Sequence, residues 1–198
     1  MKTRFVDKGR WLGSFAGEFV VRCPRCEGVG TVRRAWDFEA RRWLAATFVC
    51  GGCGHTRRHG WAGPVHLSAR RRCGGCGRRL DYRRLVKTTP ARTRIGLKCP
   101  GCGTTTSTEL CVTPSRALVD DCFGLPLALR TTCAGHTLWA FNAEHLACMR
   151  DFVRADLRER RSTAGNRSIA SRLPIWLKQA KHRPEALRAL DRLERLLP

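Results

Sequence analysis

Four cysteine pairs with the spacing Cys-x-x-Cys mark the first half of the chain. The first two pairs are separated by 23 residues and the last two by 22, so the pattern is a tandem repeat. Two such pairs bring four thiolates around one Zn²⁺, which prefers tetrahedral sulfur coordination. Because sequential pairing closes each loop locally, we predict two structural Zn²⁺ sites, one formed by Cys23, Cys26, Cys50 and Cys53 and the other by Cys73, Cys76, Cys99 and Cys102.

Glycine follows three of the four pairs, as Gly54, Gly77 and Gly103. Glycine permits the tight turn in which backbone amides point at the sulfurs. With these features, residues 20–110 resemble the zinc-ribbon class of transcription factors and RNA polymerase subunits. In that class the metal replaces a hydrophobic core too small to be stable alone. The resemblance is one of architecture and implies little about function.

Two other interpretations of the pairs are less consistent with the sequence. Residues 23–30 match the repeat of the DnaJ-type chaperone zinc domain, but the other pairs lack its second glycine and their spacings are too long. A thioredoxin-like redox site needs one Cys-x-x-Cys, whereas four equivalent pairs are present. A third metal site remains an alternative, with Cys133, His136, His145 and Cys148 as its ligands. Alternatively, Cys148 packs on a helix and His145 is partly exposed.

Alternation of apolar and charged residues predicts β-strands next to the cysteine pairs. The clearest case is 92–98, which leads into Cys99, and shorter patterns occur at 36–39 and 47–49. Residues 87–90 favour a turn, and 60–64 a linker.

The last third of the sequence changes to helical periodicity. Asn142 is a credible N-cap for a helix over residues 143–160, which Gly165-Asn166 would end. Pro174 then kinks a further helical stretch or starts a new helix there, and Pro184 opens another.

The net charge of +22 comes from 38 basic and 16 acidic residues. Residues 1–110, with the cysteine pairs, hold 23 of the basic and 7 of the acidic residues. Two four-thiolate zinc sites would lower the net charge only to about +18. Arginine outnumbers lysine 32 to 6, which a GC-rich genome can explain, but genome composition does not explain the excess of base over acid. Such a charge favours a polyanionic partner.

Arginines cluster beside the cysteine pairs, among Trp36, Trp43, Trp61 and Tyr82. Guanidinium groups on rigid loops can contact phosphates, and exposed rings can stack on unpaired bases. The alternative is that the tryptophans form a small core in each ribbon and the arginines form a solvated face. The candidate nucleic-acid contacts are Arg33, Arg34, Arg57, Arg58, Arg70, Arg71, Arg72, Arg78, Arg79, Arg83 and Arg84.

A second resemblance covers about residues 120–185. The segments 123–127, 137–146 and 170–178 look like the C-terminal part of an uncharacterised bacterial family of zinc-ribbon proteins. That family often has adjacent cysteines where this chain has Cys133-Ala134. This departure weakens the case for a metal at Cys133. The resemblance implies a bacterial origin and a domain layout, without an established activity.

The predicted fold is a small zinc-stabilised α+β protein with two tandem β-hairpin zinc ribbons followed by a small α-helical region. The predicted segments are 1–62 for the first ribbon, 63–118 for the second and 119–198 for the mostly helical region. The N-terminus lacks the apolar core of a signal peptide and no window resembles a membrane span, so we expect a cytoplasmic protein without a membrane partner.

The function expected from these features is zinc-dependent, non-catalytic binding of nucleic acid, DNA or RNA, with low sequence specificity. The alternative is an adaptor that docks on a transcription or translation machine through its ribbons, with a protein partner on the C-terminal helices. An enzyme is not expected, because four cysteines close the zinc shell and Asp120-Asp121 have no matching histidine or glutamate motif.

Overall fold

The fold was analysed in a computed structural model that describes residues 3–160 and 168–198. The predicted mixed α+β class is confirmed: both four-cysteine groups lie in β regions, and the helices are in the C-terminal part. The chain divides into two compact units, Met1–His59 with Pro126–Pro198, and Gly60–Leu125. We call them unit 1 and unit 2. Among the described residues, no helix combines the length and apolar character needed to cross a bilayer.

The strands are short and the helices follow them in the chain. The strands are β1 (Arg4–Asp7), β2 (Glu18–Arg22), β3 (Val29–Arg33), β4 (Trp36–Asp37), β5 (Arg42–Trp43), β6 (Thr47–Cys50), β7 (Thr56–Arg57), β8 (Val65–Arg72), β9 (Arg79–Val86), β10 (Arg94–Lys98), β11 (Thr105–Glu109), β12 (Cys111–Pro114), β13 (Arg130–Cys133), β14 (His136–Trp139) and β15 (Leu157–Arg160). The helices are α1 (Ala143–Arg154), α2 (Ile169–Arg172), α3 (Ile175–Lys178) and α4 (Arg183–Glu194), with 3₁₀ turns at Leu12–Phe15 and Ala180–His182.

The first ribbon is a four-stranded antiparallel sheet with the order β2-β3-β6-β7. Strands β3 and β6 alternate buried and less buried side chains, whereas β2 buries three successive residues, Phe19–Val21. Phe19, Val32 and Phe48 are fully buried. The predicted strand before Cys50 is confirmed as β6. The pattern at 36–39 forms a strand only over Trp36–Asp37, since residues 38–41 make the turn of the β4–β5 hairpin.

The C-terminal region of unit 1 packs on this ribbon. The Val20 N–H donates to the Phe141 carbonyl and the Ala128 N–H donates to the Val20 carbonyl, so strand β2 is bonded to residues outside the ribbon. A single core then joins β2 to α1, α4 and the β13–β14 hairpin, with Val20, Leu129, Val153 and Leu190 almost completely buried. This burial gives the first ribbon an apolar core beyond its own strands.

Helix α1 begins as predicted, because the Asn142 side chain accepts a hydrogen bond from the His145 N–H. Its predicted end at residue 160 is wrong, since the helix stops at Arg154 and residues 157–160 form β15, paired in parallel with β1. Ala155 has an extended conformation, and the N–H groups of residues 156 and 157 both donate to the Thr3 carbonyl. Pairing with a strand far away in sequence therefore overrides the local helical pattern.

The predicted helix end at Gly165-Asn166 lies outside the described residues. Beyond it, Pro174 separates α2 from α3 and stands at the N-cap of α3, so it starts a new helix. Pro184 is in the first turn of α4, as predicted. Leu190 and Leu193 of α4 are fully buried, which accounts for the apolar periodicity of this segment.

Unit 2 contains the second ribbon. It has a three-stranded sheet, β12-β8-β9, and a two-stranded sheet, β10-β11. Strand β10 forms over Arg94–Lys98 of the predicted pattern at 92–98, with Ile95 and Leu97 half-buried between exposed neighbours. Residues 60–64, predicted as a linker, form no regular element but belong to unit 2, where the Ala62 N–H donates to the Phe123 carbonyl. The apolar core is small, built around Val65, Leu67 and Leu110.

The two units group the chain differently from the three segments 1–62, 63–118 and 119–198. The first ribbon and the helical region share one core in unit 1, and the second ribbon extends to Leu125 in unit 2. The physical reason is the bonding of β2 to residues 126–128 and to Phe141, which sequence periodicity cannot reveal. The division into these three segments stays a prediction.

Candidate metal centres and basic surface

Each Cys-x-x-Cys pair forms the same hydrogen-bonded turn between two antiparallel strands. The carbonyl of the first cysteine accepts the N–H four residues on, at 2.9–3.2 Å, and its own N–H donates to the carbonyl five residues on, at 2.8–2.9 Å. In three of the turns a further backbone N–H, that of Arg25, Cys53 or Gly75, donates to the first sulfur at 3.4–3.5 Å. The repeated geometry aims both thiols of each pair to one side.

The residue after each pair has a positive φ, which glycine adopts most easily. Gly54, Gly77 and Gly103 have φ of 67°, 72° and 75°. The first turn uses Glu27 instead, with φ of 58°. The glycines noted in the sequence are therefore required by the turn, and the first turn carries the strain of a non-glycine residue.

The eight cysteines meet as two separate groups of four, and the predicted sequential pairing is confirmed. Within each group all the sulfurs lie within 4.8 Å of one another. The Sγ–Sγ distances are 3.8 Å for Cys23–Cys53, 3.6 Å for Cys26–Cys50, 3.4 Å for Cys73–Cys102 and 3.6 Å for Cys76–Cys99. A tetrahedron with a Zn–S distance of about 2.3 Å has edges of about 3.8 Å, so the donor sets fit zinc. All twelve cysteines are free thiols.

Hydrogen-bond donors lower the pKa of at least one cysteine in each group. The Cys53 N–H lowers the pKa of Cys50 to about 6, and the Gly52 N–H acts in the same direction, while burial opposes the shift. The hydroxyl and N–H of Thr104 lower the pKa of Cys102 to about 6. At Cys26 the N–H of Gly28 lowers the pKa, but the nearby sulfurs of Cys53 and Cys50 raise it, and the result is about 12. Four sulfurs this close cannot all ionise without a cation, which is the requirement that a metal meets.

The candidates for a third metal do not form a comparable group. Among the described residues, metal-ligating side chains converge only in the two four-cysteine groups. His136 stacks on Trp176, with ring centroids 5.0 Å apart. Burial raises the pKa of Cys133 and also that of Cys148, which favours the neutral thiol over the thiolate that binds metal.

His145 belongs to the core of unit 1 and is buried, not partly exposed. Its ring stacks on Phe15 at 5.0 Å, and its Nδ1 accepts the Phe141 N–H at 3.2 Å. An acceptor at Nδ1 requires the neutral ring with its proton on Nε2. Burial, together with the charge of Arg10, lowers the pKa of His145 to about 4.

This histidine gives a predicted pH dependence of stability. Since the unfolded chain binds a proton at His145 below about pH 6.5 and the folded chain only below about pH 4, the free energy of unfolding falls as pH drops through that interval. The loss attributable to His145 is about 3 kcal/mol. Urea unfolding at pH 7 and pH 4.5 measures it, with His145→Gln as comparison. An equal pH dependence in both proteins would contradict this assignment.

Asp120 is structural in this fold. Its carboxylate is fully buried and accepts three N–H groups, from Cys122 at 2.8 Å, Phe123 at 2.7 Å and Leu125 at 2.6 Å. Burial raises the pKa of Asp120, while these three donors oppose the shift. The side chain closes the loop of residues 120–125, a role that its sequence context gave no reason to expect.

The eleven candidate arginines fall into different environments. In unit 1, Arg33 pairs with Glu18, Arg34 lies 4.2 Å over the Trp43 ring, Arg57 is half-buried, and Arg58 is exposed. In unit 2, Arg71 donates to the Thr108 hydroxyl, and Arg78 has its guanidinium beside Gly101 of the last cysteine turn. Arg84, like Arg71, lies on the side of β8–β9 that carries Leu67 and Leu80. Their role in binding stays a prediction.

The other four arginines share one solvent-facing side of the β12-β8-β9 sheet. Residues paired across antiparallel strands share a face, and the register pairs Ser68 with Arg83, Arg70 with Asp81 and Arg72 with Arg79. We call this surface the basic face; its members are His66, Ser68, Arg70, Arg72, Arg79, Asp81, Arg83, Leu85, Cys111 and Thr113. Part of it is a groove of about 580 Å³.

The aromatic residues among the arginines divide between core and surface. Trp43 and Tyr82 are half-buried, and Trp61 is half-buried with its Nε1 donating to the Pro64 carbonyl at 3.1 Å. Trp36 remains 39% exposed, and the neighbouring Phe38 is 84% exposed. Sequence reasoning placed Phe38 in a strand and missed its exposure; the turn-forming Asp37 before it was the available signal.

Comparison with known proteins adds no family assignment. No protein-family model, no curated protein and no solved structure matches the chain. The likeness to zinc ribbons therefore depends on the two four-cysteine groups and their β surroundings, and the likeness of residues 120–185 to a bacterial family stays a resemblance.

Proposed function

We propose that the protein binds nucleic acid, DNA or RNA, through its phosphates, and that two structural zinc ions maintain the binding surface. The observation that carries the proposal is the basic face, where four arginines are accompanied by one acidic residue. Arginine presents several N–H donors and keeps its charge, so a surface of this kind attracts phosphate and releases counterions on binding.

The arrangement of charges on the basic face supports an anionic ligand. Arg72 and Arg79 are directly opposite in the register, and like charges in that position repel each other. Asp81 contacts Arg70 at 3.3 Å and Arg79 at 3.0 Å, which orients both guanidinium groups. These exposed pairs add little to stability. A phosphate would relieve the remaining repulsion.

The second metal centre lies at one end of this face. Arg72 directly precedes Cys73, and Arg79 follows Cys76 by three residues, so the cysteine turn sets the spacing of the two arginines. Zinc held by Cys73, Cys76, Cys99 and Cys102 would fix that turn. The same four sulfurs fill the coordination shell of a structural zinc and leave no position for a substrate, which supports binding without catalysis.

The test compares the unaltered protein with a fourfold variant, both loaded with zinc. The variant has Gln in place of Arg70, Arg72, Arg79 and Arg83. Fluorescence anisotropy with labelled duplex DNA, single-stranded DNA and structured RNA measures affinity at several salt concentrations between about 50 and 200 mM. We expect the variant to lose at least about a hundredfold in affinity, and the slope of log K against log salt to fall by about 3–4.

A matched control removes the same charge elsewhere, by changing exposed Arg116, Lys181, Arg188 and Arg195 to Gln. We expect this control to bind within a few-fold of the unaltered protein. Equal losses in the two variants would show that net charge alone attracts the ligand. The basic face would then have no specific role.

A further inference from the structure

The β4–β5 hairpin has aromatic side chains at its tip that are exposed to solvent instead of packing in a core. Phe38 in the turn is 84% exposed, and Trp36 and Leu44 beside it are 39% and 45% exposed. The hairpin lies in the connection between β3 and β6, beyond the last paired residues of those strands, Arg33 and Thr47. Large apolar side chains grouped on a surface are characteristic of binding sites.

The hairpin is held rigidly although it is short. The Asp37 carboxylate accepts the N–H groups of Glu39 at 3.0 Å and Ala40 at 2.9 Å, which fixes the turn. Trp36 and Trp43 pair edge to face, with ring centroids 5.2 Å apart. Arg34 lies over the Trp43 ring, and its Nε donates to the Ala16 carbonyl at 2.7 Å, which ties the base of the hairpin to unit 1. The backbone that carries the exposed Phe38 ring is therefore preorganised.

Basic side chains flank the aromatic tip. Arg41 and Arg42 are exposed and form no ion pair among the described residues. Arg41 also has φ of 49°, a conformation that glycine would adopt at lower cost. Arg41 and Phe38 thus place a cation and an exposed ring on the same turn, which matches the two parts of a nucleotide, its phosphate and its base.

We propose that this hairpin binds unpaired nucleotides, with Phe38 and Trp36 stacking on bases and Arg41 and Arg42 contacting the adjoining phosphates. The proposal deepens the function proposed above and rests on it. Stacking needs a base whose face is accessible, which a continuous duplex does not offer. Every base has such a face, so the hairpin would select single strands without selecting their sequence.

The test uses the zinc-loaded full chain and its Phe38→Ala, Phe38→Leu and Phe38→Trp variants. Anisotropy measures binding to an oligothymidine strand, to an abasic strand of equal length and to a duplex. We expect Phe38→Ala and Phe38→Leu to weaken binding to oligothymidine by about fivefold to a hundredfold and to leave duplex affinity unchanged. Phe38→Trp keeps the affinity, and the abasic strand binds the unaltered protein at least as weakly as oligothymidine binds Phe38→Ala, because it also loses stacking on Trp36.

Ile175→Ala is the matched control, since Ile175 is also strongly exposed but lies in α3. We expect it to bind every probe normally. Unaltered oligothymidine affinity in Phe38→Ala, or full affinity in Phe38→Leu, would overturn the stacking proposal. Binding of anionic vesicles that Phe38→Ala abolishes, with nucleic-acid binding intact, would also overturn it. Failure of the unaltered protein to bind any nucleic acid would instead refute the proposed function as a whole.

Discussion

Replacing Cys99 with serine is expected to remove zinc from unit 2 and unfold residues 60–125, leaving one zinc per chain. Cys99 is almost completely buried, with its sulfur 3.6 Å from that of Cys76. The apolar core of unit 2 is small. A structural zinc contributes about 10–16 kcal/mol of apparent binding free energy, comparable to the whole stability of a typical domain. Metal analysis and amide hydrogen exchange measure the two effects.

Cys111→Ser is the matched control, because Cys111 is in the same unit, is exposed and belongs to neither four-cysteine group. It should keep two zinc ions and normal exchange protection. Unit 1 has its own cysteine group and a larger core, so its protection should persist in Cys99→Ser. Retention of two zinc ions in Cys99→Ser, or a folded unit 2 after chelation, would contradict the assigned role of the metal.

Replacing Asp120 with alanine is expected to destabilise unit 2 by about 3–9 kcal/mol. The carboxylate accepts three N–H groups in a fully buried position, and each buried donor left without a partner costs about 1–3 kcal/mol. The stability of Asp120→Asn should lie between those of the unaltered protein and Asp120→Ala, because one oxygen still accepts hydrogen bonds but the amide group faces the Leu125 N–H. Denaturant unfolding of the zinc-loaded protein gives the free energies.

Asp121→Asn tests whether position 120 is special. The same charge change at this less buried neighbour should cost under about 1 kcal/mol. Equal costs at the two positions would contradict the structural role of Asp120. The comparison also bears on Asp120-Asp121 as a candidate catalytic pair. A residue that only closes a loop is expected to lower the stability of the protein when it is replaced.

The metal groups were predictable because cysteine spacing restricts geometry directly. A Cys-x-x-Cys pair fixes two sulfurs on one turn, and the positive φ of Gly54, Gly77 and Gly103 is the structural counterpart of the glycines read in the sequence. Strand β10 was likewise predictable, since period-two alternation describes a half-buried strand. Such features depend on neighbours in the chain.

Features that depend on distant residues were predicted less well. The helical pattern of residues 143–160 continues past Arg154, but the N–H groups of Asp156 and Leu157 bond to Thr3 at the other end of the sequence. The basic face depends on the register of β8 against β9, which places Asp81 opposite Arg70 and Arg79 opposite Arg72. The exposure of Phe38 depends on where the β4–β5 hairpin leaves the sheet.

The most direct test of nucleic-acid binding is the salt dependence of affinity, measured with the zinc-loaded protein between about 50 and 200 mM salt. Four phosphate contacts on the basic face predict a slope of log K against log salt of about −3.6 for duplex DNA, and thus about a hundredfold loss of affinity over this range. Micromolar or tighter binding with a slope this steep, lost on zinc removal, is the expected result. Absence of binding to duplex DNA, single-stranded DNA and structured RNA at the lowest salt would contradict it.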